Sequence, residues 1–324
     1  MVNDYFYTTN PLIEEYISRI NTYKDLFEKL PKNPQIQENL LRKSTLKSSL
    51  FSARIEGNTL NMHDVELSQS QEEEKKEVFQ IFEALKKTRS LKNDLTKEIV
   101  CDLHSIVMNG LASEIGKFRS EQTAIFNIAG VAVYMPPSPQ KIDNFFDEFL
   151  NYTNVIEERV ERVAVAHFAF EKIHPFLDGN GRIGRILMNW HLSRLGYGFA
   201  GLISFEEFLE NNQERYYNCL TITSKDITKF VELILEAIVE GSEKVILEIG
   251  EKKEVTVEEN LLPRRNEILL IIREHKMMSF DQLKRRFLSV NSRTLHYDLE
   301  FLMKKKLIKK LGTTKSVIYT PNNN

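Results

Sequence analysis

Cysteine, glycine, proline and long apolar runs are all scarce in this sequence. The only cysteines among its 324 residues, Cys101 and Cys219, form no C-x-x-C pair, which argues against a disulfide framework or a metal-thiolate site and favours a reducing cytoplasm. Thirteen glycines and nine prolines are few for an all-β protein rich in turns, so a mainly α-helical chain is predicted. No apolar run reaches the length of a membrane span and the N-terminus lacks the pattern of a signal peptide, so we expect no membrane partner.

Charged residues are plentiful, and they are unevenly distributed around a net charge of −2. Residues 263–324 contain 14 Lys and Arg against 5 Asp and Glu, whereas the other residues contain 30 against 41. A basic tail domain on an acidic body hints at nucleic-acid contact, although small surface domains often carry lopsided charge. The chain length itself favours two domains.

Helical periodicity dominates residues 1–245, which we assign to the first domain. Residues 11–100 read as helices, with Thr96 as an N-cap, and the run Glu72–Glu77 is interpreted as a solvated helix face. Residues 123–135 show the pattern of a β-hairpin. Further helices are predicted at residues 141–152, 157–173, 182–195, 206–223 and 227–239.

A polar, charged stretch at residues 246–262 is predicted to be a linker to a second domain at residues 263–324. This domain shows three helical patterns, at 264–275, 280–286 and 292–305, followed by short strands around 307–311 and 316–320. Three helices and a hairpin within about 60 residues are the order of a winged-helix domain.

The segment IHPFLDGNGRIGR, at residues 173–185, lies between two helical patterns and carries the most specific chemistry. Gly179 and Gly181 allow close backbone approach, and free N–H groups at the start of the next helix form an anion site. Arg182 and Arg185 oppose the macrodipole at that helix end, which makes sense if an oligophosphate binds there.

Asp178 and His174 supply two further functions in the same segment. One carboxylate with phosphate oxygens is a usual way to hold Mg²⁺ at a nucleotide site, and His174 is the only candidate base beside the loop. A glycine-rich interhelical turn with surface arginines is the alternative interpretation.

The run HPFLDGNGR, followed by Arg185, resembles the Fic family motif His-Pro-Phe-x-Asp/Glu-Gly-Asn-Gly-Arg-x-x-Arg at every fixed position. The resemblance extends to Gly116–Arg119 and Tyr134–Pro137, and covers roughly residues 40–240. It implies a Fic-type helical bundle with a small β-hairpin flap, to which the tail adds a C-terminal winged-helix domain. It also implies transfer of AMP from ATP to a hydroxyl side chain of a protein.

The resemblance further implies a role for each motif residue. His174 is expected to deprotonate a Ser, Thr or Tyr hydroxyl of the target protein, and Asp178 to hold Mg²⁺ against the phosphates. Nucleotide binding is expected from Gly179, Asn180, Gly181, Arg182 and Arg185, the last at the γ-phosphate. The Doc-like kinase branch of the family lacks the second arginine and the motif glycines, so their presence favours AMP transfer.

A second motif lies upstream, where Ser52 and Glu56 are four residues apart and Gly57 reads as the residue just past a helix end. A carboxylate there opposes the macrodipole by about 0.3–1 kcal/mol, which predicts a cationic partner for Glu56; a tolerated surface glutamate is the alternative. The segment resembles the Fic inhibitory motif Ser/Thr-x-x-x-Glu-Gly/Asn. That likeness implies that Glu56 pairs with Arg185 and blocks the γ-phosphate position.

Two further site regions are predicted around the motif. The hairpin is expected to be a flap whose exposed edge docks an extended target segment, a plain structural hairpin being the alternative. Its docking residues are expected to be Thr123, Ile125, Val133 and Tyr134. Asn212, Tyr216 and Tyr217 match a family pattern near the adenine pocket. Because adjacent aromatic residues on a helix cannot easily face one pocket, at least one tyrosine is expected in the core.

In the tail, the segment SVNSRTLHYDLEFLMKKKLI resembles the recognition helix of winged-helix domains. Its leucines at 295, 299, 302 and 307 are expected to be buried, and Arg293, His296 and Tyr297 to face partly outward. The lysines at 304–306, 309 and 310 could meet phosphates, so DNA is one candidate partner through residues 263–324. A protein-interaction module is equally compatible with this charge.

Three functions stay open on this reasoning. The first is a self-restrained protein adenylyltransferase that uses ATP and Mg²⁺. The second is a DNA-binding regulator whose Fic core senses a nucleotide without turnover, and the third is removal of AMP from a modified protein, with Glu56 orienting a water. The complete set from His174 to Arg185 favours an enzyme, while the direction of AMP transfer and a homodimeric state stay undecided.

Overall fold

The computed structural model describes residues 1–29, 34–66, 72–91, 93–126, 132–250, 261, 263–287, 290–312 and 317–322. The chain divides into two compact units, of which the first comprises residues 1–32, 40–65 and 69–251 and the second the remaining residues. Each unit has its own hydrophobic core. None of the described helices is long and apolar enough to cross a lipid bilayer.

Helices dominate the first unit, as the scarcity of glycine and proline predicts. Thr96 caps one of them through its side chain, which accepts a hydrogen bond from the Ile99 N–H, as predicted. The helices, with α2 belonging to this unit from residue 40 on, are α1 (Pro11–Lys29), α2 (Pro34–Ile55), α3 (Met62–Glu66), α4 (Glu72–Ser90), α5 (Lys97–Val107), α6 (Pro139–Asn154), α7 (Glu161–Ile173), α8 (Asn180–Arg194), α9 (Glu206–Asn211), α10 (Gln213–Leu220) and α11 (Thr228–Gly250).

Helix α7 forms the centre of this unit. Every side chain from Val163 to Ile173 is buried, and the helix packs against α6, α8, α10 and α11. Helix α8 packs in turn against α4 and α5. The loop that joins α7 to α8 is therefore held at both ends by helices of the core.

Three predicted helix boundaries differ from those observed. Helix α7 begins at Glu161 rather than at 157, because residues 157–159 turn back on themselves. The predicted helix at 206–223 is two helices that meet at Asn212. Helix α11 continues to Gly250, beyond its predicted end at 239, so that residues 246–250, predicted as the start of the linker, form its last turn, where Ile246 and Ile249 pack on the core. The predicted linker residues 251–260 and 262 lie outside the described residues.

The predicted hairpin is present with short strands, β1 (Ile125–Phe126) and β2 (Ala132–Tyr134). The strands are antiparallel, with Ile125 opposite Tyr134 and Phe126 opposite Ala132. Thr123 precedes β1, and residues 127–131, where the turn signal of the sequence falls, lie outside the described residues.

The second unit contains α12 (Pro263–His275), β3 (Met278–Ser279), α13 (Phe280–Arg286), α14 (Ser292–Lys304), β4 (Ile308–Leu311) and β5 (Ile318–Pro321). Its strands form an antiparallel sheet in the order β3–β5–β4. The four leucines predicted to be inward are buried, and Tyr297 is exposed, as predicted. The observed order adds only β3, whose two residues are too few to show a sequence period.

Candidate functional site

The loop between α7 and α8 is shaped by side chains from its own ends. The Asn180 side chain, buried at the start of α8, accepts a hydrogen bond from the Phe176 N–H (2.9 Å) and donates one to the Phe176 carbonyl (2.8 Å). Phe176 is itself fully buried. The Asn180 side chain thus builds the loop, and only its main-chain N–H remains for a ligand.

His104 on α5 supports the same loop, and its position had no signal in sequence spacing. Its ring stacks on Phe176 with the centroids 3.8 Å apart. Its Nδ1 accepts a hydrogen bond from the Gly116 N–H (2.9 Å), so its Nε2 carries the proton and donates to the Asp178 carbonyl (3.0 Å). Burial, which is the main effect, lowers the pKa of His104 and favours this neutral tautomer.

Arg119 connects the loop to the base of the hairpin. This buried side chain donates to the carbonyls of His174 (2.8 Å), Glu121 (3.0 Å) and Pro137 (2.6 Å). Its main-chain N–H donates to the Pro175 carbonyl at 2.9 Å. The segment Gly116–Arg119, which resembles the one before the Fic core, thus ends in an arginine that positions both the loop and the hairpin.

His174 occupies the strained first position of the loop. Its backbone is left-handed, with φ 48° and ψ 61°, and its N–H ends α7 by donating to the Phe170 carbonyl. Its Nδ1–H donates to the Glu171 carbonyl (3.3 Å), which leaves Nε2 as the proton acceptor. Burial lowers the pKa of His174 to about 4, so the imidazole is neutral near pH 7 and can act as a base.

The start of α8 faces the loop with unpaired main-chain N–H groups, as every helix N-terminus does. Gly179 precedes the helix with φ +78°, a conformation that favours glycine. A Cβ at Gly181 would lie 2.5 Å from Oε1 of Glu56, so the Glu56 carboxylate would have to move away from its present position. The motif glycines therefore allow both an anion and the Glu56 carboxylate to approach.

Arg185 is fully buried and held by the end of α2. Its Nε donates to Ser52 Oγ (2.9 Å), and its Nη2 donates to the Ser52 carbonyl (2.9 Å) and to Glu56 Oε1 (2.7 Å). Burial, the largest single effect, would lower the pKa of Arg185, but the Glu56 carboxylate together with Tyr216 and Tyr217 outweighs it, and the pKa is raised. The predicted cationic partner of Glu56 is thus Arg185, and Gly57 just beyond has φ +103°.

Arg182 has a carboxylate partner that the sequence pattern does not indicate. Its Nη1 donates to Glu77 Oε1 on α4 (2.6 Å), and its Nη2 lies 3.4 Å from Asp178 Oδ1. The prediction of a solvated face at 72–77 is therefore wrong for Glu77, whose side chain is only 13% exposed. Spacing along α4 cannot distinguish a solvated glutamate from one that meets an arginine about 100 residues away.

The three residues predicted near adenine lie in different surroundings. Tyr216 is fully buried, with its hydroxyl 2.8 Å from His167 Nε2, so it belongs to the core and cannot line a surface pocket. Tyr217 is partly exposed and donates to the Ile55 carbonyl (3.1 Å). The Asn212 side chain donates to the Phe208 carbonyl (2.9 Å) between α9 and α10.

The hairpin is attached to α7 through Tyr134. The tyrosine hydroxyl donates to the Lys172 carbonyl (2.9 Å), and the Lys172 Nζ lies 4.0 Å from the ring centroid. Burial raises the pKa of Tyr134 to about 12. Of the four predicted docking residues, Tyr134 therefore anchors the flap, while Thr123, Ile125 and Val133 lie on or beside the two strands, partly exposed.

The residues around the loop fit a magnesium ion only in company with phosphate oxygens. Within the described ranges there is no group of three or more His, Cys, Asp or Glu side chains that could hold a metal. Asp178 presents a carboxylate that is 63% exposed beside the start of α8. One such carboxylate together with phosphate oxygens is a usual magnesium site.

Comparison with known proteins finds relatives of this chain in one family. The model of the Fic/DOC family matches residues 94–192. The protein adenylyltransferase Fic of Nematostella vectensis is 25% identical over 241 residues, 69% of this chain and 54% of that protein. The same-named protein of Aedes aegypti is 32% identical over 152 residues, 45% of this chain and 28% of that protein. The matches thus span about half or less of these relatives.

Solved structures show the same fold. A Fic family protein from Desulfovibrio desulfuricans G20 aligns with a TM-score of 0.66 at 21% identity, covering 98% of both chains. A Fic domain containing signaling protein from Bacteroides thetaiotaomicron aligns with a TM-score of 0.62 at 20% identity, covering 74% of this chain and 98% of that one.

Proposed function

We propose that this chain, which carries a Fic domain, transfers AMP from ATP to a hydroxyl side chain of a target protein. The observation that carries the proposal is the neutral His174, with an accepting Nε2, beside a helix N-terminus that has two buried arginines in its first turns. The names of the relatives point to the same reaction.

In the proposed reaction the target hydroxyl oxygen attacks the α-phosphorus of ATP, a phosphoester bond forms, and the bond to the leaving pyrophosphate breaks. His174 Nε2 accepts the hydroxyl proton. The main-chain N–H groups at the start of α8 and the guanidinium of Arg182 hold the phosphates and offset developing negative charge. Asp178 would hold Mg²⁺ with phosphate oxygens, and the ion would neutralise charge on the phosphates.

Glu56 is proposed to restrain this activity. Its carboxylate occupies Arg185, the cation that would otherwise hold the γ-phosphate. ATP that binds while this pair is intact would have its γ-phosphate displaced and its α-phosphorus misaligned for attack. Restraint therefore acts on the geometry of the bound nucleotide.

The test follows transfer of label from ATP labelled at the α-phosphate to protein in a cell lysate, with the Glu56→Gly chain as the active form. His174→Ala should reduce transfer by about 10²- to 10⁴-fold while ATP binding, followed by calorimetry, persists. Ser90→Ala, at an exposed helix end, is the control. Binding without transfer by any variant would favour a nucleotide sensor, and release of AMP from labelled protein would favour the reverse reaction.

A second candidate function belongs to residues 263–324, for which we propose duplex DNA as a partner. Arg293 and Tyr297 are exposed on α14. Also exposed are the lysines at 304–306, at and just beyond the end of α14, and those at 309 and 310 on β4. The buried Asp298 carboxylate pairs with Arg264 and Arg265 and keeps this helix on α12. Basic side chains on one helix and an adjoining strand suit phosphate contacts.

DNA binding by the full chain is tested by fluorescence anisotropy with random-sequence duplexes. Affinity should fall at least tenfold between ~50 and ~200 mM salt, and Lys309→Ala with Lys310→Ala should reduce the slope against salt by about two. Lys86→Ala, a similarly exposed lysine of α4, should leave it unchanged. No binding at low salt would favour a protein-interaction module.

A further inference from the structure

The turn that follows Glu56 is fastened to α4 by Asn58. The Asn58 side chain is largely buried and has both of its polar atoms in use. Its Nδ2 donates to Glu77 Oε2 (2.9 Å) and to the Glu74 carbonyl (3.0 Å), while its Oδ1 accepts from the Leu60 N–H (3.0 Å). The main-chain N–H of Asn58 closes the turn on the Ala53 carbonyl at 3.1 Å.

Glu77 therefore divides its two carboxylate oxygens between two parts of the site. Oε1 accepts from Arg182 at 2.6 Å, and Oε2 accepts from Asn58 at 2.9 Å. Both side chains of the Arg182–Glu77 pair are mostly buried, with 9% and 13% exposed. Low exposure strengthens such charge-assisted contacts relative to those at a surface.

We infer that Glu77 is a positioning residue that couples the phosphate-binding arginine Arg182 to the inhibitory turn at Glu56–Asn58. Through Oε1 it orients the Arg182 guanidinium, and through Oε2 and Asn58 it holds Glu56 where it meets Arg185. This inference rests on the proposed function, since it assigns Arg182 and Glu56 the roles given above.

The two arms of the Glu77 carboxylate can be separated by substitution. Asn58→Ala removes the link to the turn and touches neither arginine, so it should release Glu56. Glu77→Gln keeps an oxygen for the Asn58 amide but removes the charge that faces Arg182. That variant should bind ATP at least as tightly, because a negative charge beside the phosphates is lost, yet turn over more slowly, because the guanidinium is no longer oriented.

Transfer of labelled AMP by full-length chains tests the link to the turn. Asn58→Ala should raise the rate at least tenfold over the unsubstituted chain and should add nothing in the Glu56→Gly background, since both changes remove the same restraint. Thr59→Ala is the matched control, because Thr59 donates from the same turn to the same helix, at Glu74 Oε1, without touching Glu77. An active Glu56→Gly chain with Asn58→Ala as slow as the unsubstituted chain would overturn the link.

The arm to Arg182 is tested in the Glu56→Gly background by kcat and KM for ATP. Glu77→Gln should lower kcat about tenfold without raising KM. A fall in kcat with an equal-fold rise in KM, or no change in either, would contradict the positioning role.

Hydrogen exchange of the Glu56–Asn58 amides supplies a readout independent of transfer. Asn58→Ala, or Asn58→Asp if it fails to fold, should speed exchange at least tenfold, and unchanged exchange rejects the inference even if no variant transfers AMP.

Discussion

At the residue scale, the contact between Glu56 and Arg185 makes a strong prediction. Glu56→Gly should raise AMP transfer by on the order of 10²-fold, because a nucleotide displaced by about 1 Å loses that much rate and removal of the carboxylate restores the γ-phosphate position. Arg185→Ala should cancel the gain in the double variant, as followed by labelled transfer. Asp94→Gly, which removes a loop carboxylate paired with Arg194, is the control. An unchanged rate in Glu56→Gly, together with loss of activity in His174→Ala, would support the enzymatic assignment and contradict the proposed restraint.

The environment of His174 predicts an unusual pH profile. Because burial lowers its pKa to about 4, the imidazole keeps its basic form well below the ordinary histidine range. With saturating nucleotide, kcat of the Glu56→Gly chain should stay flat from about pH 7.5 down to about pH 5.5. Circular dichroism over the same range controls for unfolding. A tenfold fall that follows a pKa near 6.5 would contradict the assignment of this buried imidazole as the base.

At the scale of elements, the flap is expected to depend on one hydrogen bond to α7. Tyr134→Phe keeps the ring beside Lys172 but removes the donor to the Lys172 carbonyl. A single hydrogen bond contributes about 0.5–1.5 kcal/mol, so KM for the target protein should rise by about three- to tenfold. KM for ATP, measured in parallel, should not change. Equal effects on both would show that the flap and the nucleotide site are one rigid element.

The α7–loop–α8 element was largely predictable, because its functional side chains lie close together in sequence. Glycines at the turn, a carboxylate, and two arginines three residues apart all lie within one 13-residue stretch. The helix ends at Glu161 and Gly250 were harder to predict from the sequence, because local turns and tertiary packing determine them. His104, Arg119 and Glu77 had no readable role, since each acts through backbone or side chains of a distant element that spacing along its own helix cannot reveal.

At the scale of the whole molecule, buried ionisable groups should set the pH range of stability. Burial lowers the pKa of His167 and His191 to about 3. The unfolded chain therefore binds more protons than the folded one between these values and about 6.5, so stability falls as pH falls through that window. Glu171 acts in the opposite sense, because burial raises its pKa to about 8. The stability that its protonated carboxyl contributes to the folded chain is therefore lost as pH rises toward 8.

His191→Leu isolates one of these contributions. Neither ring nitrogen of His191 has a hydrogen-bond partner among the described residues, so leucine gives up no side-chain hydrogen bond. The free energy of unfolding, from urea titrations, should lose less between pH 6.5 and pH 4 in the variant, by on the order of 3 kcal/mol. Parallel pH curves for the two proteins would show that His191 does not titrate in this window.

Because Arg119 binds both His174 and Pro137, the position of the flap relative to His174 should determine which target residue can react. One guanidinium binds both the carbonyl of His174 and that of Pro137, which follows β2. The distance from β2 to the imidazole of His174 is therefore fixed by Arg119. A target strand added to β2 advances by about 3.3 Å per residue, and its side chains alternate between faces. A shift of one residue would turn a hydroxyl away from His174, and a shift of two would carry it about 7 Å along, beyond hydrogen-bonding reach. The hydroxyl that reacts should therefore be selected by the register in which the target strand pairs with the flap, one register position at a time.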